Sequence, residues 1–189
     1  MIRLHMICSN DREGYFLMHD WSKQDIRETI LSLKLAVFDF DGVFTNNQVI
    51  VSQEGKESVI CNRSDGLGLR RLESVNITPI IISTEVNPIV SIRARKLCVE
   101  CIHGCENKLK VLKDQLIRRD VSLKNVAYIG NDINDESCLK VVGLPVVVAD
   151  AFEEVKPLAR VVLSKKGGRG AVREFCDHVF FIKSEMKDG

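Results

Sequence analysis

The stretch LAVFDFDGV, residues 35–43, joins four apolar residues to two aspartates separated by one phenylalanine. A short apolar run that stops at a polar cluster is typical of a strand buried on both faces of a sheet. In an α/β protein such a strand ends at the edge where ligands bind, so Asp39 and Asp41 are predicted to lie at a binding site. Two carboxylates this close are costly unless a cation is present. A solvated turn is the alternative, and these residues alone do not exclude it.

Regular patterns flank this strand on both sides. Ile26, Ile30 and Leu33 fall near helical spacing behind Ser22, and serine is a common helix cap, so a helix is predicted over 22–33. Apolar residues on either side of Gly55 predict a β-hairpin over 48–60 with that glycine in the turn. The strand at 35–38 is therefore expected to lie between a helix and a hairpin.

Helical patterns alternate with apolar runs along the rest of the chain. Further strands are predicted over 77–82, 99–102, 126–129, 144–148 and 161–163. Further helices are predicted over 67–75, 88–97, 107–119, 136–142 and from 171 onward. Because crossovers between parallel strands are right-handed, this alternation predicts a doubly wound, mostly parallel α/β sheet of Rossmann-like architecture. A single domain is expected over 22–189, after an irregular extension over 1–21 that carries no usable motif.

Composition and charge exclude several classes of protein. The chain has 189 residues, of which 45% are hydrophobic and 28% charged, as in ordinary soluble domains rather than disordered or fibrous chains. Lys and Arg total 27 against 26 for Asp and Glu, so no global field draws the chain to nucleic acid or to an acidic membrane. No apolar run reaches the roughly 18 residues of a membrane span. Seven diluted cysteines without a recognisable signal peptide predict a reducing, cytoplasmic location.

A second acidic cluster strengthens the prediction of a binding site. The sequence GNDIND, residues 130–135, follows the predicted strand at 126–129. The carboxyl ends of parallel strands lie at one edge of a sheet, so this cluster is expected to meet Asp39 and Asp41 there. Carboxylate and carbonyl oxygens are the ligands that Mg²⁺ prefers. The two clusters together predict a magnesium site.

Two further strand ends carry polar residues. Ser83 and Thr84 follow the predicted strand at 77–82, and Lys108 opens the helix after the strand at 99–102. Each residue alone is more often a helix cap or a solvated charge. The full order, Asp-x-Asp, Ser/Thr, Lys and Gly-Asn-Asp-x-x-Asp, each after a buried strand, resembles the haloacid dehalogenase superfamily. The resemblance implies phosphoryl transfer.

The resemblance also implies a role for each catalytic residue. Asp39 is the expected nucleophile and accepts the phosphoryl group as an aspartyl-phosphate. Asp41 is the expected acid and base, which protonates the leaving alkoxide and then activates water. Ser83 and Lys108 are expected to hold the transferring group.

The resemblance implies a Mg²⁺ ion as the cofactor. Its expected ligands are Asp39, the backbone carbonyl of Asp41, and Asp132. Asp135 is assigned to the same metal centre, where it orients Lys108 or a metal-bound water.

Within the superfamily, the chain resembles the capless phosphatases of eight- and nine-carbon sugar-acid phosphates over about residues 22–182. Only a hairpin and a helix lie between Asp41 and Ser83, which is too little for a cap domain. The resemblance implies a homotetramer in which the hairpins form a barrel. A neighbour's C-terminal segment, residues 167–173 with Arg169, is then expected near the site. Without the resemblance, that segment is an ordinary loop before a helix.

The resemblance assigns substrate contacts to Asp41, Asn62, Ser64, Asp65, Gly66, Arg70, Thr84, Glu85, Arg93, Lys108 and Arg169. Glu85 and Ser64 stand where the octulosonate enzymes carry arginine, and Glu85 matches the nonulosonate enzymes instead. Asn46, in Thr45-Asn46-Asn47, stands where the family usually has Asp-Gly. Arg70 and Arg93 remain as partners for a substrate carboxylate, although Arg93 alone also fits a solvated helix face. The expected substrate is a nonulosonate sugar acid of the N-acylneuraminate 9-phosphate type.

Three alternatives remain open at this point. The first is a 3-deoxy-octulosonate 8-phosphate phosphatase. The second is a non-catalytic tetramerisation domain related to the C-terminal part of sialic-acid cytidylyltransferases, against which the intact set of acidic motifs argues. The third is a phosphorylated receiver switch, which a second aspartate at residue 41 disfavours because it would speed hydrolysis of the acyl phosphate.

One cysteine cluster has a spacing that also suits zinc. Cys98, Cys101, His103 and Cys105 lie close in sequence, but no second Cys-x-x-Cys pair follows. Buried apolar thiols packed around the strand at 99–102 are the preferred interpretation.

Overall fold

Eight strands are present in this computed structural model, which describes residue 21 and residues 23–185. They are β1 (Leu35–Phe38), β2 (Ile50–Val51), β3 (Glu57–Ser58), β4 (Thr78–Ile82), β5 (Glu100–Ile102), β6 (Val126–Gly130), β7 (Leu144–Val147) and β8 (Val161–Val162). Six of them form one parallel sheet in the order β5-β4-β1-β6-β7-β8. The predicted doubly wound α/β fold is confirmed.

Helices flank this sheet. They are α1 (Gln24–Ser32), α2 (Asp65–Ser74), α3 (Ile89–Leu97), α4 (Lys108–Arg119), α5 (Glu136–Leu139) and α6 (Ala171–Glu185). Every predicted helix is present, but α1 begins two residues later, with Lys23 at its N-cap, and α5 ends three residues earlier. Ser22 and residues 1–20 of the extension predicted over 1–21 lie outside the described residues.

The strand order brings the predicted motifs together. β1 lies between β4 and β6, and its last residue, Phe38, pairs in register with Ile81 of β4 and Ile129 of β6. The chain continues from β1 to one side of the sheet and later returns to the other side, so a topological switch point lies at β1 and β6. Open α/β sheets bind ligands at this place.

The core explains why β1 reads as an unbroken apolar run. All four of its residues are fully buried, because helices cover both faces of the sheet. Two groups of helices pack together: α1 and α2 contact α6, and α4 contacts α5. β1 is thereby held rigidly, and the residue that follows it has a well-defined position.

A small antiparallel hairpin takes the place of a cap. β2 pairs with β3, and Gly55 in the connecting turn has φ +75°, a backbone conformation that favours glycine. Val49, Ile50 and Val51 of this hairpin are exposed. The predicted hairpin is confirmed, and it leaves an apolar surface uncovered in the single chain.

Two smaller observations complete the description. Trp21 stacks on His178 of α6 with ring centroids 4.4 Å apart, which ties the start of the described chain to the last helix. Within the described residues, no helix combines the length and the apolar character needed to cross a membrane.

Candidate active site

Three buried charges meet at the carboxyl end of β1. Lys108 Nζ lies 2.8 Å from Asp39 Oδ1 and 2.7 Å from Asp135 Oδ1, and Lys108 and Asp39 are only 2% and 3% exposed. Asp39 directly follows β1, and Lys108 is the first residue of α4, whose N-cap Asn107 accepts a hydrogen bond from Lys110 N. The sequence prediction that these strand ends converge is confirmed for Asp39 and Lys108.

The ionisation of this cluster reflects two negative charges against one positive charge. Burial and then the nearby Asp135 raise the pKa of Asp39 to about 7, against the opposing effect of Lys108. Burial also works to lower the pKa of Lys108, but Asp39 and Asp135 outweigh it and the net pKa is raised. One ammonium group therefore does not fully balance the two carboxylates, and a further cation beside Asp39 would complete the balance.

The position of that cation is marked by three converging polar atoms. The end of the Asn131 side chain lies 2.9 Å from the backbone carbonyl oxygen of Asp41 and 3.2 Å from Asp39 Oδ2. Neighbouring oxygen ligands in an octahedral Mg²⁺ site, with bonds of about 2.1 Å, are roughly 3.0 Å apart. With its amide oxygen turned toward them, Asn131 thus fits as the third ligand. With the amide reversed, its NH₂ group donates to the same two oxygens.

Gly42 makes this approach possible. Its φ is +80°, and a Cβ atom built on it would lie 2.1 Å from Asn131 Nδ2. No other residue type fits this position without displacing the Asn131 side chain.

Asp132 and Asp135 of the predicted metal centre both form contacts within the protein, and the predicted contact of Asp135 with Lys108 is confirmed. Asp132 uses its Oδ1 to accept a hydrogen bond of 2.7 Å from Ile133 N at the start of a short 3₁₀ turn. Asp135 is fully buried, and both of its oxygens are occupied by donors from the protein. Within the part of the chain that the structure describes, no three His, Cys, Asp or Glu side chains converge as a metal site. The structure assigns the third oxygen to Asn131, and Asp135 holds Lys108.

Asp41 lies next to this centre with its side chain directed differently from that of Asp39. Thr45 Oγ1 donates to Asp41 Oδ1 over 3.4 Å and accepts a hydrogen bond from Gly42 N. Burial and then the nearby Glu85 raise the pKa of Asp41. A carboxyl group with a raised pKa is suited to donate a proton near neutral pH.

The predicted serine and threonine occupy different environments. Ser83 is buried directly after β4, where its hydroxyl accepts a hydrogen bond from Glu85 N. Thr84 is exposed, and its hydroxyl accepts from Asn134 Nδ2 over 3.4 Å. Both residues lie at the same edge of the sheet as Asp39, as predicted.

A pocket of about 320 Å³ opens from Asp41 between the hairpin and α3. Its lining consists of Asp41, Asn47, Gln48, Val49, Glu57, Val59, Thr84, Glu85 and Ile89. The sequence prediction placed Asp41, Thr84 and Glu85 here but missed the hairpin residue Glu57. Asn87 connects the two glutamates, because its side chain donates to Glu57 Oε2 and its backbone N–H donates to Glu85 Oε1.

A second group of predicted contact residues lies outside this pocket lining. Asn62 Oδ1 accepts hydrogen bonds from the backbone and hydroxyl of Ser64, and Arg93 Nη2 donates to the Asn62 carbonyl over 3.0 Å. Arg93 is therefore more than a solvated helix residue. Arg70 is exposed and donates to the backbone carbonyl of Gly66.

Asp65 differs from its predicted role as a substrate contact. It is only 1% exposed, and neither carboxylate oxygen has a hydrogen-bond partner of good geometry. Burial raises its pKa to about 7, against the opposing effects of the Arg173 backbone N–H and of the charges of Arg93 and Arg173. In this structure Asp65 is packed inside the protein and is not open to a ligand.

The loop before α6 packs on the loop that follows β1 in the same chain, residues 39–45. Gly168 N donates to the Val43 carbonyl, and a Cβ atom on Gly167 would lie 1.8 Å from the Gly42 carbonyl oxygen. Arg169 at the tip of this loop is exposed. A contribution of Arg169 to a neighbour's site stays a prediction.

The cysteine cluster is less buried than predicted. Cys98 is exposed at the left-handed C-cap of α3, with φ 59°, while Cys101 and Cys105 are half-buried. The interpretation of all three as buried thiols is therefore wrong for Cys98.

Comparison with known proteins gives consistent matches. The sequence model of the haloacid dehalogenase-like hydrolases matches residues 74–175. The 3-deoxy-D-manno-octulosonate 8-phosphate phosphatase of Salmonella typhi is 34% identical over 83% of this chain and 84% of its own length.

Solved structures agree with this assignment. The crystal structure of 3-deoxy-D-manno-octulosonate 8-phosphate phosphatase from Yersinia pestis has a TM-score of 0.83 at 32% identity, over 87% of this chain and 89% of that chain. The same enzyme from Moraxella catarrhalis, in complex with a magnesium ion, a phosphate ion and a KDO molecule, has a TM-score of 0.83 at 29% identity, over 88% and 96%. The chain therefore belongs to the haloacid dehalogenase-like hydrolases, and within them it is a phosphatase.

Proposed function

We propose that this phosphatase hydrolyses the terminal phosphate of a sugar acid, with 3-deoxy-D-manno-octulosonate 8-phosphate as the first candidate substrate. The buried contact of Lys108 with Asp39 and Asp135 carries the phosphatase chemistry. The choice of substrate is supported by the relatives, which share about a third of their residues with this chain over most of its length.

The residues of the site support a two-step reaction. Asp39 attacks phosphorus, the ester P–O bond breaks, and an aspartyl-phosphate forms while the sugar alkoxide leaves. Asp41 gives its proton to that alkoxide, and its raised pKa suits this step. The Asp41 carboxylate then takes a proton from water, which attacks the acyl phosphate and releases inorganic phosphate and free Asp39.

The other side chains position the reacting groups. Lys108 places positive charge beside Asp39, where negative charge accumulates on the transferring group. The Ser83 hydroxyl lies at the same edge and is suited to hold a phosphate oxygen. Asp39 Oδ2, the Asp41 carbonyl and the Asn131 side chain would hold Mg²⁺. Bound there, the ion would supply charge neutralisation for the nucleophile and the substrate.

A nine-carbon nonulosonate 9-phosphate is the second candidate substrate. One observation favours it: Glu85 lines the pocket beside Asp41, and it occupies the place where the octulosonate enzymes are expected to carry arginine. A carboxylate there accepts hydrogen bonds from sugar hydroxyls and repels a substrate carboxylate.

The deciding experiment is phosphate release from a panel of eight- and nine-carbon sugar-acid phosphates, with and without Mg²⁺. The Asp39→Asn variant serves as the control for contaminating phosphatases. The expected result is Mg²⁺-dependent release that Asp39→Asn lacks, with the eight-carbon ester as the best substrate. No release by the wild type from any ester contradicts the proposal and favours the non-catalytic assembly domain. A preference for the nine-carbon ester favours the second candidate.

We also propose that the exposed hairpin is an interface between copies of this chain in a homotetramer. Val49, Ile50 and Val51 form an apolar surface that the single chain leaves exposed, and Val49 also lines the pocket beside Asp41. A second copy packed on the hairpin would bury this surface and narrow the pocket at the same time.

Light scattering tests this assembly. For the wild type we expect a molar mass of four times the chain mass of 21.3 kDa. The Ile50→Lys substitution in the hairpin is expected to dissociate the tetramer and lower the measured mass. Ile117→Lys on α4 is the control and should remain assembled, because Ile117 is also an isoleucine and is even more exposed than Ile50. A monomeric wild type at micromolar concentration contradicts the proposal.

A further inference from the structure

Tyr128 places a polar group in the middle of the apolar strand β6. Its side chain is fully buried, and its neighbours along the strand, Val126, Ala127 and Ile129, are apolar. A buried hydroxyl is costly unless it forms a hydrogen bond, so a phenylalanine would fill this part of the core at lower cost. The Tyr128 hydroxyl meets its requirement by donating to Asp135 Oδ1 over 2.7 Å.

Asp135 is fixed by four donors, two on each oxygen. Oδ1 accepts from Lys108 Nζ and from the Tyr128 hydroxyl, each at 2.7 Å. Oδ2 accepts from Asn131 N at 2.9 Å and from Asp132 N at 3.4 Å. Four donors meet the usual capacity of a carboxylate, so its plane has one preferred orientation. Two of these donors are side chains, Lys108 and Tyr128, and of the two Tyr128 is uncharged.

The orientation of Asp135 determines where the Lys108 ammonium group lies. Lysine is a flexible side chain whose position depends on its partners. Here those partners are Asp135 Oδ1 and Asp39 Oδ1, at nearly equal distances of 2.7 and 2.8 Å. Without the Tyr128 hydroxyl, Asp135 Oδ1 would keep only Lys108, and the carboxylate could rotate and draw the ammonium group away from Asp39.

We propose that Tyr128 is a positioning residue of the phosphoryl-transfer site, whose hydroxyl holds Asp135 in the orientation that places Lys108 beside Asp39. The effect on the reaction rests on the proposed phosphatase function. The effect on Lys108 does not, because it is a property of the folded chain alone.

The test compares Tyr128→Phe with Val126→Ala, a core variant of the same strand that touches none of these groups. For each protein we would measure kcat, KM and the melting temperature, together with the ¹H–¹⁵N signal of the Lys108 ammonium group by NMR. Tyr128→Phe is expected to lower kcat about tenfold with KM nearly unchanged, as for other residues that orient a catalytic group. It is also expected to broaden the Lys108 signal. Val126→Ala should lower the melting temperature and leave kcat and the signal as in the wild type.

A double-variant cycle with Asp135→Asn separates positioning from packing. If Tyr128 acts through Asp135, Tyr128→Phe should change kcat less than about twofold once the carboxylate is gone. A tenfold loss in both backgrounds overturns the proposal, and so does a Lys108 signal in Tyr128→Phe identical to that of the wild type. An inactive wild type would contradict the proposed function alone, since the NMR comparison would still decide the role of Tyr128.

Discussion

The candidate site has two parts that are built in different ways: the reaction centre around Asp39 and Lys108, and the substrate side, which is the pocket lined by Glu57 and Glu85. At the reaction centre, Asp39, Lys108 and Asp135 are buried, and each has a charged partner within 3 Å. On the substrate side, Glu57 is exposed on a two-residue strand, and Glu85, which lines the same pocket, is only half-buried. The chain alone thus preorganises the groups proposed for phosphoryl transfer, whereas the groups proposed to contact the rest of the substrate are less constrained.

Replacing the nucleophile should have the largest effect. Asp39→Asn keeps the size of the side chain and removes the attacking oxygen, so we expect phosphatase activity to fall about 10⁴-fold or more. The fold should persist, because Lys108 keeps Asp135 as a partner. Phosphate release and circular dichroism measure the two outcomes. A variant with more than a few per cent of wild-type activity would remove Asp39 from the mechanism.

Asp65→Asn tests the carboxylate that is buried at the start of α2, outside the pocket. Its pKa is raised to about 7 in the folded protein from 3.8, chiefly by burial. Protonated Asp65 therefore makes its full contribution to the free energy of unfolding below about pH 4, and this contribution is lost as the pH rises through about 7. Relative to the wild type, Asp65→Asn should gain about 2 kcal/mol in the free energy of unfolding at pH 8, with no gain near pH 4.

Urea unfolding at several pH values measures this difference. Asp114→Asn removes an exposed carboxylate from α4 and is the matched control, for which no such pH dependence is expected. An Asp65→Asn variant that is less stable than the wild type at pH 8 would show that Asp65 is ionised and paired in the folded protein.

Asn131→Asp sharpens the assignment of the metal ligand. The new carboxylate would lie beside Asp39 Oδ2 and the Asp41 carbonyl, so the Mg²⁺ concentration for half-maximal activity should fall about tenfold. Asn134→Asp adds the same charge three residues further along the chain, on the exposed part of the turn, and should change this Mg²⁺ concentration less. Equal effects of the two variants would mean that Asn131 is not a ligand.

Glu85→Gln should have the smallest effect. It removes one negative charge from the pocket while keeping its shape, so we expect a change of about threefold in the ratio of kcat/KM for nine-carbon over eight-carbon esters, in favour of the eight-carbon ester. Glu54→Gln in the hairpin turn is the control, since Glu54 does not line the pocket. An unchanged ratio in Glu85→Gln would show that Glu85 does not select the substrate.

Much of the fold and part of the site could be predicted because both depend on local patterns. Strand ends after apolar runs identified Asp39, Asp41, Ser83 and Lys108, since parallel strands bring their carboxyl ends to one edge. The resemblance implied Asp132 as the third ligand, whereas the structure brings the Asn131 side chain next to the Asp41 carbonyl and Asp39 Oδ2. The signal for Asn131 was its place as the first residue after β6.

Other residues carried no local signal. Asp65 follows a polar segment and opens a helix, which predicts exposure, yet α2 packs against α6 and buries it. Tyr128 reads as an ordinary aromatic residue of a buried strand, and its hydroxyl acquires a partner only through the turn that carries Asp135. Such contacts join residues whose spacing follows no helical or strand period.

The sequence by itself determined the order of strands and helices along the chain and the edge at which the acidic motifs meet, and its resemblance to the haloacid dehalogenase superfamily implied the phosphatase chemistry. Periodic burial and strand-end polarity are properties of short segments, so they can be read without coordinates. Only the tertiary structure decided that Asn131 faces the Asp41 carbonyl, that Asp135 contacts Lys108, and that Asp65 is buried. These outcomes depend on how closely side chains from separate elements approach one another, and the packing of the whole chain determines such distances.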